Sequence, residues 1–217
     1  MTQLVLVRHG ETEWHAENRY AGVSDIALTA RGLEQAQHLA AWARTARLAA
    51  VWTSTLTRAQ LTATPCAEAI GVRPHVDERL RELDFGHAEG LTSAEMHEQF
   101  PEALQAFRAD PVTDHLPGGE DPTEAVRRFT GCLFELADRY PEDRILVVAH
   151  TTAIRLALCE LIGVPLRDYR RIFPSLRNCG LTEISLTRPP GGSDRQAALL
   201  EFNTPIEAVK AVRERTL

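Results

Sequence analysis

Lysine is almost missing from this chain: Lys210 is the only one, so arginine supplies 23 of the 24 basic residues. A positive excess is missing as well. Thirty acidic residues outweigh the basic ones and leave a formal net charge of −6. No sequence-wide positive field therefore draws the chain to nucleic acid or to an anionic membrane surface, and neither is expected as a partner. A local basic pocket is still allowed, and permanently charged arginine forks suit phosphate. Cysteine is scarce. Cys66, Cys132, Cys159 and Cys179 show no C-x-x-C or zinc-ribbon spacing, which predicts free buried thiols and no metal site. No apolar run approaches membrane-spanning length. The N-terminus enters a strand-like run directly, without a basic leader followed by a long apolar segment, so a reducing cytoplasm is expected. Repeats, low-complexity tracts and long like-charge runs are absent.

What is present suits a soluble globular chain. Of 217 residues, 44% are apolar and 25% charged, enough for one generous core over 1–217 rather than two small domains. Gln3–Val7, Ala49–Thr53 and Ile145–Ala149 are short apolar runs rich in β-branched residues, the pattern of strands buried on both faces. Helical patterns lie between them: Gly32–Ala46, with Leu33, Ala36, Leu39, Ala40 and Ala43 on one face, then Arg58–Ile70 and Glu124–Tyr140. Strand and helix alternate, which predicts a parallel α/β architecture. Leu181–Thr187 and Gln196–Phe202 read as two strands joined by the turn-rich Arg188–Asp194 and extend one sheet edge. From about 92 to 122, short amphipathic pieces carrying Phe100 and Phe107 give way to a Gly- and Pro-rich loop. This stretch has the character of an insertion covering a site.

Chemistry gathers where the predicted strands end. The first strand runs into Arg8-His9-Gly10-Glu11-Thr12, at the carboxyl end of a parallel strand, where open α/β sheets place their ligands. The second leads into Ser54-Thr55-Leu56-Thr57-Arg58, where Ser54, Thr55 or Thr57 could cap the next helix. Arg58 falls in the first turn of that helix, against its dipole, at a cost of a few tenths to about 1 kcal/mol. A solvated arginine would tolerate that cost, whereas an anion shared with the helix amides would reverse its sign. The third strand ends in Ala149-His150-Thr151-Thr152, so His150 occupies the topological place of His9 one strand over. Either histidine alone reads as a hydrogen-bonded loop residue. Three strand ends that each deliver a phosphate-competent group point to a shared anion site.

These segments, with Leu6–Trp14, Asn18–Gly22, Asp25–Thr29, Ser54–Ala63, Arg79–Glu82, Gly86, Glu89-Gly90, Pro117–Glu120 and Val147–Arg155, make the sequence resemble the histidine phosphatase superfamily. The matching branch contains phosphoglycerate mutases and many small phosphatases. The resemblance implies a phosphoglycerate mutase-like fold, three-layer α/β/α with a mostly parallel central sheet and a helical cover. It implies that His9 is the nucleophile and that Arg8, Arg58 and His150 hold the phosphoryl oxygens, with Glu82 as proton donor. It further implies substrate contacts at His15, Ala21, Gly22 and Thr151, and catalysis without metal or other cofactor. The chain departs from the family pattern at three places. His15 stands where asparagine is common, Thr151-Thr152 replaces a Gly-Gly pair, and Gly118-Gly119-Glu120-Asp121 ends in aspartate rather than serine.

Hydrolysis of a small phosphorylated metabolite is the expected activity. A phosphoglycerate mutase is the nearest alternative, but no arginine-rich substrate segment matches, and Arg127-Arg128 reads as an exposed part of a helix. A weakly catalytic phospholigand-binding protein is the second alternative. The sheet edge or the Pro205–Leu217 tail could pair two copies, which leaves a homodimer open.

Overall fold

The β-branched run at the N-terminus becomes β1 (Thr2–Arg8), a central strand covered on both faces. Its side chains alternate. Leu4 and Leu6 join one apolar cluster, whereas Val5 and Val7 join the cluster on the opposite face. In this computed structural model, which describes residues 1–188 and 195–206, the chain continues through α1 (Ala30–Ala43), β2 (Ala50–Thr53), α2 (Thr57–Ala69) and β3 (His75–Val76). Next come α3 (Ser93–Gln99), α4 (Pro101–Ala109), α5 (Pro122–Arg139), β4 (Arg144–Ala149), α6 (Thr151–Ile162), α7 (Tyr169–Ile172), β5 (Leu181–Thr187) and β6 (Gln196–Thr204).

The six strands form one sheet in the order β3-β2-β4-β1-β5-β6. The first four are parallel, β5 runs antiparallel to β1, and β6 antiparallel to β5. The expected mostly parallel α/β sheet is therefore present, with an antiparallel pair at one edge. The turn predicted between β5 and β6 lies, from Pro189 to Asp194, outside the described residues, as does the tail beyond Ile206.

Helices α1 and α2 cover one face, where Leu39, Ala43, Ala63 and Cys66 meet Val5, Val7, Val51 and Val148. Helices α5 and α6 cover the other, where Phe129, Leu133, Ile154 and Leu158 meet Leu4, Leu6, Ile145 and Val147. Both layers are apolar, as expected for strands that read as continuous apolar runs. The helix ends follow from local chemistry: Thr29 accepts from the Gly32 amide to start α1, and Asp121 with Pro122 starts α5. Gly163, at φ +74°, ends α6. The cap of α2 differs from expectation. None of its own hydroxyls starts the helix; Asp25, from a distant loop, accepts from the Thr57 amide and hydroxyl.

The register of the parallel strands positions the site. Arg8 pairs with Ala149 and Val148 with Thr53, so His9, His150 and Ser54 leave the sheet side by side at its carboxyl edge. The insertion folds as α3 and α4 over its own apolar cluster, in which Met96, Leu104 and Phe107 pack with Leu83, Phe85 and Leu116. Phe107 is fully buried there.

Candidate active site

His9 follows β1 and is almost fully enclosed. Its Nδ1 lies 2.7 Å from the Gly10 carbonyl oxygen, which can only accept, so Nδ1 carries the proton. The other nitrogen, Nε2, keeps its lone pair and accepts from Arg58 Nε at 3.2 Å. Burial, reinforced by Arg58 and Arg8, holds the His9 pKa well below its ordinary value. The ring is thus neutral, with one tautomer fixed and a nucleophilic nitrogen on the side opposite Gly10.

Arg58 is fully buried, so the solvated alternative falls. Besides His9, its guanidinium donates to the carbonyls of Ser24 at 2.7 Å and Gly22 at 2.6 Å. Gly22 is held tightly in turn, because a Cβ there would lie 1.9 Å from Glu89 Oε1 and 2.4 Å from the Leu83 carbonyl oxygen.

His150 is buried beside His9, with ring centroids 5.2 Å apart. Its Nε2 is 2.7 Å from Ser54 Oγ, and its buried Nδ1 has no protein partner. Burial and then Arg58 lower its pKa well below the ordinary histidine value. Arg8 donates to the Leu176 carbonyl at 2.8 Å and meets His15 Nε2 at 2.5 Å, while its buried Nε takes no partner from the protein. His15 Nδ1 lies 3.0 Å from the Thr12 amide and 2.8 Å from the Thr12 hydroxyl, and its Nε2 faces side-chain donors of Arg8 and, at 3.3 Å, Asn178. Burial and then Arg8 lower the His15 pKa to about 4.

Glu82 is nearly fully enclosed between α6 and the segment after β3. Its Oε1 accepts from the amides of Leu83 at 2.9 Å and Ala153 at 2.8 Å, and its Oε2 from Thr152 at 2.9 Å. The carboxyl therefore serves as the missing cap of α6, whose N-cap residue His150 makes no side-chain cap bond. Oε2 accepts one amide and retains a lone pair, where a proton can sit. Burial raises the Glu82 pKa, although the three amides and Arg58 oppose the rise.

These groups surround a cavity of about 260 Å³, below the ~300–1,000 Å³ of ordinary ligand pockets and suited to a small ligand. Arg8, His9, His15, Ala21, Glu82 and Thr151 line it. Arg58, His150 and Gly22 stand behind its wall. Residues 92–122 do not line it; α4 instead backs the wall, as Phe107 packs against Tyr20 and under Arg170. Three further residues belong to the site. Arg155 lies one helical turn beyond Thr151 on the same face of α6, a spacing that was readable. Tyr20 lines the mouth. Asn178 donates to the His9 carbonyl at 2.8 Å from just before β5, and no local pattern signals it. One expectation is corrected: Arg128 is not a surface residue. It is mostly buried and forked onto Glu120, because α5 docks there against the Glu82 segment.

Among the described residues, no helix is long and apolar enough to cross a membrane, and no three His, Cys, Asp or Glu side chains gather as metal ligands. All four cysteines are free and buried.

Known proteins resemble the chain along most of its length. Phosphoserine phosphatase 1 of Hydrogenobacter thermophilus is 34% identical over 169 residues, covering 78% of this chain and 80% of the relative. A probable phosphoglycerate mutase, GpmB, of Cronobacter sakazakii is 36% identical over 193 residues, covering 88% and 87%. Among solved structures, a mycobacterial glucosyl-3-phosphoglycerate phosphatase in complex with VO3 superposes with a TM-score of 0.84 at 27% identity, covering 94% of this chain and 99% of the other. A putative α-ribazole-5′-phosphate phosphatase of Escherichia coli superposes with a TM-score of 0.82 at 27% identity, covering 94% and 96%. The sequence profile of branch 1 of the histidine phosphatase superfamily matches residues 4–194. With the paired histidines at the sheet edge and the buried carboxyl facing them, the chain belongs to that superfamily.

Proposed function

We propose that this phosphatase hydrolyses a small phosphorylated metabolite through a phosphohistidine on His9, without a metal ion. One observation carries the reading: a neutral imidazole whose Nε2 lone pair is held by Arg58 while Nδ1 is tied to a carbonyl. Anion binding alone requires neither that tautomer nor a buried carboxyl whose pKa is raised.

In the first step His9 Nε2 attacks phosphorus in line, the P–O ester bond breaks, and the leaving oxygen takes the proton of Glu82. Arg8 and the free Nδ1 of His150 supply charge and donors to the non-bridging oxygens, and Arg58 Nε is freed to join them as its histidine partner bonds phosphorus. In the second step water gives its proton to the Glu82 carboxylate and attacks phosphorus. The P–N bond breaks, phosphate leaves, and His9 returns to its neutral tautomer. Phosphoryl transfer needs chiefly positioning and charge stabilisation, which these side chains provide.

The probable mutases among the relatives keep one alternative alive, in which the phosphoryl group passes back to a bound acceptor instead of to water. A cytoplasmic location agrees with four unpaired, buried thiols. We place no nucleic acid or membrane among its partners, and a homodimer remains part of the proposal. The experiment is hydrolysis of p-nitrophenyl phosphate in excess chelator, with acid-stable and acid-labile phosphoprotein measured after rapid quench and with a mutase readout in parallel. Turnover that persists in chelator, acid-labile phosphate on the wild type and none on His9→Ala are expected. Full activity of His9→Ala overturns the covalent route, and transfer to a phosphoglycerate faster than hydrolysis favours the mutase.

A further inference from the structure

Beyond the groups assigned to phosphoryl transfer, the cavity is lined by three more arginines, Arg19, Arg155 and Arg170, of which the last two lack carboxylate partners among the described residues. Arg155, from α6, is 7% exposed and forms no ion pair with any described carboxylate. Its Nε is buried without a partner, and its single hydrogen bond, from Nη2 to the Tyr169 carbonyl, is stretched to 3.5 Å. A buried guanidinium left so short of acceptors is unusual, because buried charges are ordinarily paired. Arg170, from the adjacent α7, is exposed at the mouth and likewise has no described carboxylate partner. It donates to the Tyr20 hydroxyl at 3.2 Å.

Both guanidinium groups are held by their faces. Arg155 stacks 4.8 Å over the Tyr169 ring and Arg170 5.0 Å over the Phe107 ring. Stacking fixes the plane of each group while leaving N–H donors along its edge, the arrangement that recognises a two-oxygen anion in a forked geometry. Arg19, which also lines the cavity, is by contrast already committed to Glu17 and Glu95. The phosphoryl group itself calls on Arg8, Arg58 and the histidines, so the pair on α6 and α7 is left over.

We propose that Arg155 and Arg170 form a second anion subsite, so that the preferred substrate is a small phosphate monoester carrying another anionic group, a carboxylate or a second phosphate. The inference rests on the phosphatase reading for the identity of the first anion. A cavity of about 260 Å³ keeps the two groups on one short carbon skeleton. Arg155 anchors the second group in the enclosed part, and Arg170 closes over it from the mouth.

The test separates this subsite from the chemistry by measuring binding where no turnover occurs. Calorimetry on His9→Ala would compare glycerol 3-phosphate with 3-phosphoglycerate, in which a carboxylate replaces the hydroxymethyl group, and with 1,3-propanediol bisphosphate. One or both dianionic-ended ligands should bind about 10- to 100-fold more tightly than glycerol 3-phosphate, the range of hydrogen bonds to charged groups. Which of the two gains identifies carboxylate or phosphate as the second group. Adding Arg155→Met to His9→Ala should bring the ratio of affinities to within about threefold, and Arg155→Lys should restore part of it. The ratio is taken within each protein, so a general loss of folded protein cancels. Equal affinities for all three ligands, or a ratio unchanged by Arg155→Met, overturn the proposal. Failure of the phosphatase reading shows elsewhere, as p-nitrophenyl phosphate turnover that survives loss of His9.

Discussion

Arg58 Nε lies 3.2 Å from His9 Nε2, and the rest of the Arg58 guanidinium is fixed to the carbonyls of Gly22 and Ser24. The loop at 22–24 therefore aims the histidine through a single buried side chain. Arg58→Lys keeps a positive charge but cannot hold two carbonyls and a ring nitrogen in one plane. Removing a preorganised donor of this kind lowers the rate of phosphoenzyme formation by about 10²–10³. Single-turnover rapid quench measures that step directly. A rate within a few-fold of wild type would mean that the alignment of His9 does not depend on Arg58.

Glu82 has two tasks in the proposed cycle, and substrates can separate them. An alkyl phosphate needs a proton on its leaving group, so Glu82→Gln should lower its kcat by about 10²–10⁴. Nitrophenolate leaves unprotonated, so with p-nitrophenyl phosphate the loss falls on the second step, where water must surrender a proton. The variant should release one equivalent of nitrophenolate in a burst and then turn over slowly. Because burial raises the Glu82 pKa, wild-type kcat on alkyl esters should fall as pH rises through that raised value. The variant should lack this alkaline limb. A linear progress curve without a burst would assign the base to another group.

How much of this was readable in the sequence depends on how local the cause is. Strands β1, β2 and β4 were legible because strands buried on both faces must be apolar throughout, and their ends marked His9, Ser54 and His150. Register then brought those ends together, which no single segment could encode. Interactions across the fold were illegible: Asp25 capping α2, Glu82 capping α6 and Asn178 holding the His9 carbonyl each link residues distant in sequence. The burial of Arg128 is illegible for the same reason. Its helical spacing is that of a surface position, and only the docked Glu82 segment covers it.

Three histidines make the fold sensitive to acid. The pKa values of His9, His15 and His150 lie below the ordinary histidine value, that of His15 at about 4. Between the ordinary and the lowered values the unfolded chain binds more protons than the folded one, so stability is present above about pH 6.5 and is lost as pH falls. Glu82, raised by burial, works in the opposite sense, one group against three. The melting temperature should therefore fall steadily from pH 6.5 to 4.5. Orthovanadate should flatten the decline by giving the imidazolium rings a counter-charge. His15→Asn removes one titrating group and should make the slope shallower. A melting temperature constant across the window would show that the three rings titrate normally.

Arg128 links the stability of the fold to the proton donor. From α5 its Nη1 donates to the carbonyls of Arg79 and Arg81, both at 2.8 Å, and its Nη2 to the Glu82 carbonyl at 3.0 Å. The remaining edge forks onto both oxygens of Glu120 at 2.7 and 2.8 Å. One side chain thus fixes the backbone on which Glu82 is mounted. Arg128→Lys preserves the charge and isolates this geometric role, since a point ammonium cannot reproduce five bonds in a plane. A loss of about 2–3 kcal/mol is expected from the missing charged hydrogen bonds, and a melting temperature lower by about 5–10 °C for a chain of this size. A structural role alone would end there. If Arg128 also positions Glu82, water reaches the loosened carboxyl, its pKa drops toward the ordinary value, and the alkaline limb of the alkyl-ester profile moves to lower pH. Lower stability with that limb unmoved would confine Arg128 to holding the fold.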